Sequence, residues 1–260
     1  MSITYGKYLK LDQILTAQSP RSDGPEHDEM LFIIIHQVYE LWFKQVLHEV
    51  DYLHQRLRQN KRDRALHTLR RILTILKTMV GQIDILETMT PLEFLSFRDR
   101  LALASGFQSG QFRELEFALG HKRPSILNHF AADPATYRKL TDRYERPSLW
   151  DAFLHFLSQN GVAVPAALLA RDVTEGVRPS AELQTLLVQI YRENPAIARI
   201  CERLVDLDEG IQEWRYRHVK MVERTIGAKK GTGGSAGVAY LNTTLRQPLF
   251  PDLWAIRTRL

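Results

Sequence analysis

The chain has 260 residues, of which 44% are hydrophobic and 25% are charged, proportions that are ordinary for a globular protein with a substantial core. The basic and acidic residues behind its net charge of +5 are interleaved along helix faces, so we expect no nucleic-acid partner. The sequence contains no run of about 18 apolar residues, so no membrane span is predicted. The first residues lack the apolar core of a secretory signal. Cys201 is the single cysteine, which excludes an internal disulfide and favours a cytoplasmic protein.

The N-terminal part of the chain leads into a long helix. Residues 3–11 are apolar and aromatic but few, which is typical of an arm or a single helical turn, and residues 19–28 predict a loop. A helix is predicted from Pro25 to about residue 59. Its residues 31–43 (LFIIIHQVYELWF) are apolar on nearly every side, which predicts burial among other helices. His36 lies within this stretch, where an imidazole is costly unless its nitrogens find partners.

Two further helices follow from spacing and capping signals. Leucines at helical spacing predict a second long helix over residues 63–88. The segment Thr90-Pro91-Leu92-Glu93 has the residues of a capping box, so a new helix is predicted to begin there and to end near residue 105. Residues 108–119 predict another helix, which Gly120 ends.

The remainder is also predicted to be helical. Prolines open a series of short helices over residues 123–194, and residues 195–226 predict a last long helix, closed by Gly227. Residues 229–237 are too rich in glycine for a helix, and the tail to residue 260 gives no clear signal. Because no alternating strand pattern is present, we predict an all-α fold with a single helical domain over residues 1–260.

A second histidine lies on the apolar stripe of the last helix. Apolar residues recur there every three or four positions and His218 falls among them, so it is predicted to face the interior, as His36 does. Arg215 is predicted to point elsewhere. Gly210, on roughly the same face, would let a bulky group approach, although a tolerated irregularity explains it equally well. The alternative for both histidines is a structural role in the core.

Two features favour an anionic ligand. Arg98 shares a helix face with apolar residues, and a partly buried guanidinium needs an anion such as a carboxylate, either from a ligand or from an internal acid. The glycine-rich segment could form an anion-binding nest in which Thr232 adds a hydroxyl, or could be a flexible linker. It is not a P-loop, since its lysines precede the glycines.

A protein-only metal cluster is not predicted. Neither His36 nor His218 has two further ligands at a suitable spacing, and no cysteine pair exists. A metal held by one histidine would need other ligands from a cofactor, as a porphyrin provides.

Seven segments resemble, in order, the signature of the tryptophan 2,3-dioxygenase family. They are YGKYL (residues 5–9), HDEMLFIIIHQVYELWFKQ (27–45), LETMTP (86–91), FRD (97–99), SGFQS (105–109), WRYRH (214–218) and GTGGS (231–235). The resemblance spans nearly the whole chain and is weakest over residues 122–199 and in the tail.

The resemblance implies an all-α homotetramer with one haem b per subunit, ferrous when active. His218 would be the proximal ligand of the iron, with Ser105 also at the cofactor. His36 would lie on the distal side, where it would hydrogen-bond the indole N–H of L-tryptophan. O2 would be the co-substrate.

The resemblance also implies a substrate pocket. Arg98 would hold the substrate carboxylate, and Thr232 would reach the ammonium and carboxylate as its loop closes. Tyr5 and Tyr8, on an N-terminal arm of residues 1–24, would belong to the pocket of a neighbouring subunit. The walls of the indole pocket would be Phe32, Ile33, Ile34, Ile35, Phe94 and Leu101. Some bacterial members carry tyrosine in place of Phe94, so one hydroxyl contact to the carboxylate is missing here.

The implied reaction is cleavage of the indole C2–C3 bond by O2, which gives N-formyl-L-kynurenine in the first step of tryptophan catabolism through kynurenine. Orientation of the indole is the favoured role of His36, because an indole N–H is a very weak acid. The alternative activity is that of a related haem monooxygenase acting on a modified tryptophan.

Overall fold

The computed structural model describes residues 2–24, 26–101, 106–229, 238–245 and 247–260. These residues contain helices and no strand, which confirms the all-α prediction. None of their helices is both long and apolar enough to cross a membrane. The α-helices are α1 (Tyr5–Leu9), α2 (Leu11–Ile14), α3 (His27–Arg58), α4 (Arg62–Leu86), α5 (Pro91–Arg98), α6 (Gly110–Leu119), α7 (Pro134–Tyr144), α8 (Leu149–Gln159), α9 (Ala166–Leu169), α10 (Ala181–Glu193), α11 (Pro195–Ile226), α12 (Val238–Thr243) and α13 (Pro251–Ala255). Short 3-10 helices cover Asp99–Leu101, Gly106–Gln108, Pro124–Phe130 and Ile256–Arg259.

The three long helices form the centre of the fold. Helix α4 packs against both α3 and α11, and α8 and α6 pack against α3. The helical spacing of their apolar residues places one stripe of each helix in a common core. The fully buried members include Leu53 and Leu57 of α3, Leu69 and Ile72 of α4, and Ile200, Leu204 and Leu207 of α11.

Helix α5 begins at the predicted capping box. The Thr90 N–H donates to Glu93 Oε2 at 2.7 Å, and the Glu93 N–H donates to Thr90 Oγ1 at 3.4 Å. These two bonds satisfy backbone donors that a helix start leaves without partners. The helix ends at Arg98, earlier than predicted, and the predicted end near residue 105 lies outside the described residues.

Two glycines have the roles that close packing and helix termination require. Gly120 ends α6 with a φ of 106°, a left-handed conformation that suits glycine and confirms the predicted end of this helix. At Gly210 an added Cβ would lie 3.3 Å from Leu76 Cδ1. The bulky group that approaches Gly210 is therefore a leucine of α4.

One face of α3 is open in the single chain. Ile34 and Leu41 are 42% and 53% exposed, so the prediction that residues 31–43 are buried on nearly every side is wrong for this chain alone. The reason is that α4, α5, α6 and α8 cover other faces of the helix.

The C-terminal tail is fastened to the middle of α11, although its sequence gave no clear signal. The buried Asp208 accepts hydrogen bonds through Oδ2 from the Leu249 N–H (2.8 Å), the Phe250 N–H (3.0 Å) and Trp254 Nε1 (2.9 Å). The carboxylate thereby satisfies donors that would otherwise be buried at a cost.

Candidate active site: a cavity lined by two histidines

A large apolar cavity lies where the first half of α3 meets the second half of α11. The empty space between its walls measures about 1620 Å³, the solvent at its mouth included. Helices α4, α5, α6 and α12 contribute to the walls as well. The lining residues include Phe32, His36, Glu40, Phe94, Arg98, Leu101, Arg113, Glu116, Trp214, Arg215, His218, Leu241 and Thr244.

His36 has one nitrogen committed to the backbone. Its Nδ1 lies 2.7 Å from the carbonyl oxygen of Phe32, one helical turn earlier. A carbonyl only accepts, so Nδ1 carries the hydrogen. Burial lowers the pKa of His36, which favours the neutral ring. The remaining nitrogen, Nε2, is then an acceptor on a side chain that lines the cavity.

His218 lines the same cavity from α11, as the sequence predicts. Burial lowers its pKa to about 4, with smaller contributions from His36 and Arg113, so the ring is neutral near pH 7. The Trp214 ring stacks on it, with centroids 5.3 Å apart and planes at 15°. This packing restrains the orientation of the imidazole.

The donor set around His218 fits a haem. A neutral imidazole is the form that ligates iron. Within the described ranges no group of three histidine, cysteine, aspartate or glutamate side chains could hold a metal ion. A metal at His218 therefore needs most of its ligands from a cofactor, and a porphyrin supplies four nitrogens.

Phe32 and Phe94 form an aromatic wall beside His36, and the fully buried Phe97 packs against both of them. The Phe32 ring lies 4.1 Å from the His36 ring, 5.8 Å from Phe94 and 5.6 Å from Phe97. Phe94 and Phe97 meet edge to face at 5.4 Å. Aromatic faces and edges of this kind suit a flat aromatic ligand.

The capping box of α5 positions the predicted carboxylate-binding arginine. The box starts α5 at Pro91, so the helix includes both Phe94 and Arg98, which share a helix face because they are four residues apart. Both line the cavity, and Leu101 follows them on the next 3-10 turn. The structure thus brings Arg98 to the aromatic wall.

A buried charged cluster was not predicted from the sequence. Glu116 of α6 accepts from Arg215 at Oε1 (2.8 Å) and from Arg113 and Arg123 at Oε2 (2.8 Å each). Burial alone would raise the pKa of this carboxyl, but the three guanidinium groups lower it to about 2. The carboxylate is therefore ionised at neutral pH.

The prediction that Arg215 points elsewhere is wrong, because its side chain is buried and lines the cavity. Burial of an unpaired guanidinium is unfavourable, and the ion pair with Glu116 removes this obstacle for Arg215. The pattern offers one signal in retrospect, since Arg113 and Glu116 are three residues apart on one helix face.

A carboxylate of α3, Glu40, was not predicted to line the pocket. Glu40 lines the cavity one turn after His36, and Gln111 Nε2 donates to both its backbone oxygen and its Oε2, each at 2.8 Å. This double contact fastens α6 to α3 beside the histidine.

Several predicted pocket residues do not line the cavity. Ile33, Ile34 and Ile35 are not among the described residues that line it. Ile35 is buried in the core, and Ile34 is 42% exposed on the outer face of α3. Tyr5 and Tyr8 on α1 are 75% and 71% exposed and do not reach the cavity of their own chain. The predicted residues Ser105 and Thr232, with the glycine-rich segment, lie outside the described residues.

Comparison with known proteins agrees with the resemblance seen in the sequence. A relative named tryptophan 2,3-dioxygenase from Herpetosiphon aurantiacus is 62% identical over 259 residues, covering 100% of this chain and 99% of the relative. Relatives of the same name are 55% identical in Anaeromyxobacter sp. strain K and 41% identical in Bacillus thuringiensis strain Al Hakam, each covering 100% of this chain and 97% and 93% of the relative. The family model described as tryptophan 2,3-dioxygenase matches residues 1–160 and 165–260. The chain belongs to the tryptophan 2,3-dioxygenase family.

Proposed function

We propose that this protein cleaves the indole C2–C3 bond of L-tryptophan with O2 to give N-formyl-L-kynurenine. The observation that carries the proposal is one apolar cavity lined by two neutral histidines, an aromatic wall and an arginine. The reaction is that of a dioxygenase, an oxidoreductase that places both atoms of O2 in the product, and it opens tryptophan catabolism through kynurenine.

His218 is the residue that would hold a haem b, through a nitrogen of its neutral ring. When bound, the ferrous haem supplies the oxygen chemistry, while the protein supplies binding, orientation and a dry site. Trp214 would keep the His218 ring in place by stacking, and Ser105 is proposed to lie at the cofactor as well.

His36 is proposed to orient the indole. With Nδ1–H donating to the Phe32 carbonyl, Nε2 is left to accept the indole N–H, which is the only polar group on that ring system. A lowered pKa keeps the ring neutral, so it accepts rather than repels this donor. A neutral imidazole is too weak a base to remove the indole proton, which supports orientation as its task.

The amino-acid part of the substrate is proposed to meet charged and polar groups. The fork of Arg98 matches a carboxylate in two-point contact. Thr232 is proposed to bind the ammonium and carboxylate groups. Because Phe94 has no hydroxyl, Arg98 carries more of the carboxylate binding. Phe32, Phe94 and Leu101 enclose the indole, whereas Ile33, Ile34 and Ile35 would affect the pocket only by shaping α3.

We also propose a homotetramer in which the N-terminal arm, residues 1–24, reaches a neighbouring subunit. Among the described residues, eight of the fifteen exposed large hydrophobic side chains lie within the first 41 positions, including Tyr5, Tyr8, Ile34 and Leu41. Exposed apolar residues concentrated in one part of a chain are typical of an interface. Each chain would then be a single domain completed by its neighbours.

A related haem monooxygenase activity on a modified tryptophan is not favoured, since the relatives described above are all named as the dioxygenase. The test is to supply L-tryptophan and O2 to the reduced, haem-loaded protein and to follow the absorbance of N-formylkynurenine. We expect this product, and its absence would overturn the proposal.

The role of His36 has a test of its own. For L-tryptophan, His36→Ala should lower kcat/KM by up to about 10-fold, because one neutral hydrogen bond is worth about 0.5–1.5 kcal/mol. For 1-methyl-L-tryptophan, which has no indole N–H, the same substitution should produce no such loss. Equal losses with both substrates would contradict the hydrogen bond.

A further inference from the structure

The glutamate at the centre of the buried cluster connects to a part of the cavity wall that is distant in sequence. Arg215 uses one guanidinium nitrogen, Nη2, to bind Glu116 and the other, Nη1, to donate to the backbone oxygen of Thr244 at 3.4 Å. The Arg215 side chain is 4% exposed, so these contacts are shielded from bulk water. Arg215 thus spans from α6 to the end of α12.

Thr244 passes this contact on to α12. Its hydroxyl donates to the Leu241 carbonyl oxygen at 2.7 Å, and its N–H donates to the same oxygen at 3.0 Å. Leu241 and Thr244 both line the cavity, and Thr244 is buried. A displacement of Thr244 would therefore move a wall of the cavity.

The stretch of residues 238–245 follows α11 in sequence. It is joined to α11 through residues 227–237, and Asp208 holds the chain again at Leu249 and Phe250. Arg215, which is ion-paired with Glu116, reaches the backbone at Thr244 between these points.

We propose that Glu116 is a positioning residue that, through Arg215, holds residues 238–245 in place as a wall of the cavity. The proposal goes beyond the reaction proposed above and does not depend on it. A carboxylate suits the task because both of its oxygens accept, so it fixes Arg215 with one oxygen and is itself fixed by Arg113 and Arg123 at the other.

Glu114 provides a matched control two residues earlier on α6. It is similarly buried and is bound by Arg143 (2.9 Å) and Lys139 (2.7 Å), both on α7. Neither Glu114 nor these partners line the cavity. Glu114→Gln therefore removes a buried, cation-bound carboxylate without touching the connection to Thr244.

The experiment measures amide hydrogen exchange in the full-length, haem-loaded protein without tryptophan. Glu116→Gln should speed exchange of residues 238–245 at least 10-fold and leave the second halves of α3 and α4 unchanged, whereas Glu114→Gln should leave residues 238–245 at the wild-type rate. With tryptophan as substrate, Glu116→Gln should raise KM more than it lowers kcat. Because exchange is measured without substrate, a failure of the proposed reaction would not affect this result.

Arg215→Lys provides a second test of the proposal, which applies even if Glu116→Gln does not fold. A lysine keeps the charge beside Glu116, but one ammonium cannot span to the Thr244 oxygen as the guanidinium fork does. We expect roughly 3- to 10-fold faster exchange of residues 238–245 in this variant. Wild-type exchange there in Arg215→Lys, or in a folded Glu116→Gln, would overturn the proposal, as would equal acceleration throughout the protein.

Discussion

The two halves of each long histidine-bearing helix have different tasks. The second half of α3 and the first half of α11 are packed tight, with Leu53, Leu57 and Leu204 fully buried. The first half of α3 and the second half of α11 border the cavity, where His36, Trp214 and His218 form part of the lining. One helical pattern thus builds a solid core at one end and a binding site at the other.

The residues that could bind a cofactor and a substrate are concentrated where packing is incomplete. In the packed halves, side chains gain stability by filling space, since an interior has the density of an organic crystal. In the cavity halves, side chains keep polar atoms that the protein itself does not fully use, such as Nε2 of His36. Substitutions in the packed halves should therefore lower the stability of the protein, whereas substitutions in the cavity halves should weaken the binding of haem or tryptophan.

The largest expected effect is that of His218→Ala, in the cavity half of α11. The variant should fold but fail to retain haem, because it lacks the imidazole proposed to ligate the iron. Absorption at the Soret band of the purified protein measures this loss. His54→Ala, on the packed half of α3, is the control and should retain haem; equal haem in both variants would exclude His218 as the ligand.

Leu204→Ala should give the next largest effect, on stability alone. Removing a fully buried leucine costs about 2–5 kcal/mol in the free energy of unfolding. Urea unfolding at one fixed protein concentration measures the change, and KM for tryptophan should stay near the wild-type value. The matched change Leu101→Ala, at the half-buried cavity wall, should destabilise less and raise KM more. The reverse ranking would contradict the division between the two regions.

Arg98→Ala should raise KM for tryptophan by roughly 10- to 150-fold, since a hydrogen bond to a charged group is worth about 1.5–3 kcal/mol. Steady-state kinetics of the haem-loaded protein provides the measurement. Arg100, two residues later, pairs with Asp23 at the surface and serves as the control position. If Arg98→Ala and Arg100→Ala gave the same KM, Arg98 could not be the carboxylate anchor.

The smallest effect concerns two helical glycines. Gly81 of α4 has open space around an added Cβ, so Gly81→Ala should raise the free energy of unfolding by about 0.5–1 kcal/mol through helix propensity. Gly210→Ala should gain less or lose stability, because its Cβ would press on Leu76 where α11 meets α4. Urea unfolding of both variants tests the difference. An equal gain in the free energy of unfolding would show that a Cβ at Gly210 fits between α11 and α4 without strain, contrary to this prediction.

The fold was largely predictable because its signals are local. Apolar spacing gave α3, α4 and α11, and the capping box gave the start of α5 at Pro91. The face of α3 at Ile34 and Leu41 was not predictable, because composition cannot say whether an apolar face is covered by the same chain or by another one.

The site was predictable in part. His36 and His218 could be placed inside by periodicity, and the structure brings both to one cavity. The interior position of Arg215 could not be foreseen, because it depends on Glu116, which lies 99 positions away in sequence. Burial of a charge is decided by its partner, and spacing along a single helix does not report that partner.

The visible absorption spectrum of the purified protein, recorded before and after addition of L-tryptophan, tests most directly whether one cavity holds both cofactor and substrate. We expect a Soret band that shifts when tryptophan binds beside His36 in the cavity that His218 also lines. A protein that binds no haem on reconstitution, or a Soret band that tryptophan leaves unchanged, would contradict the account.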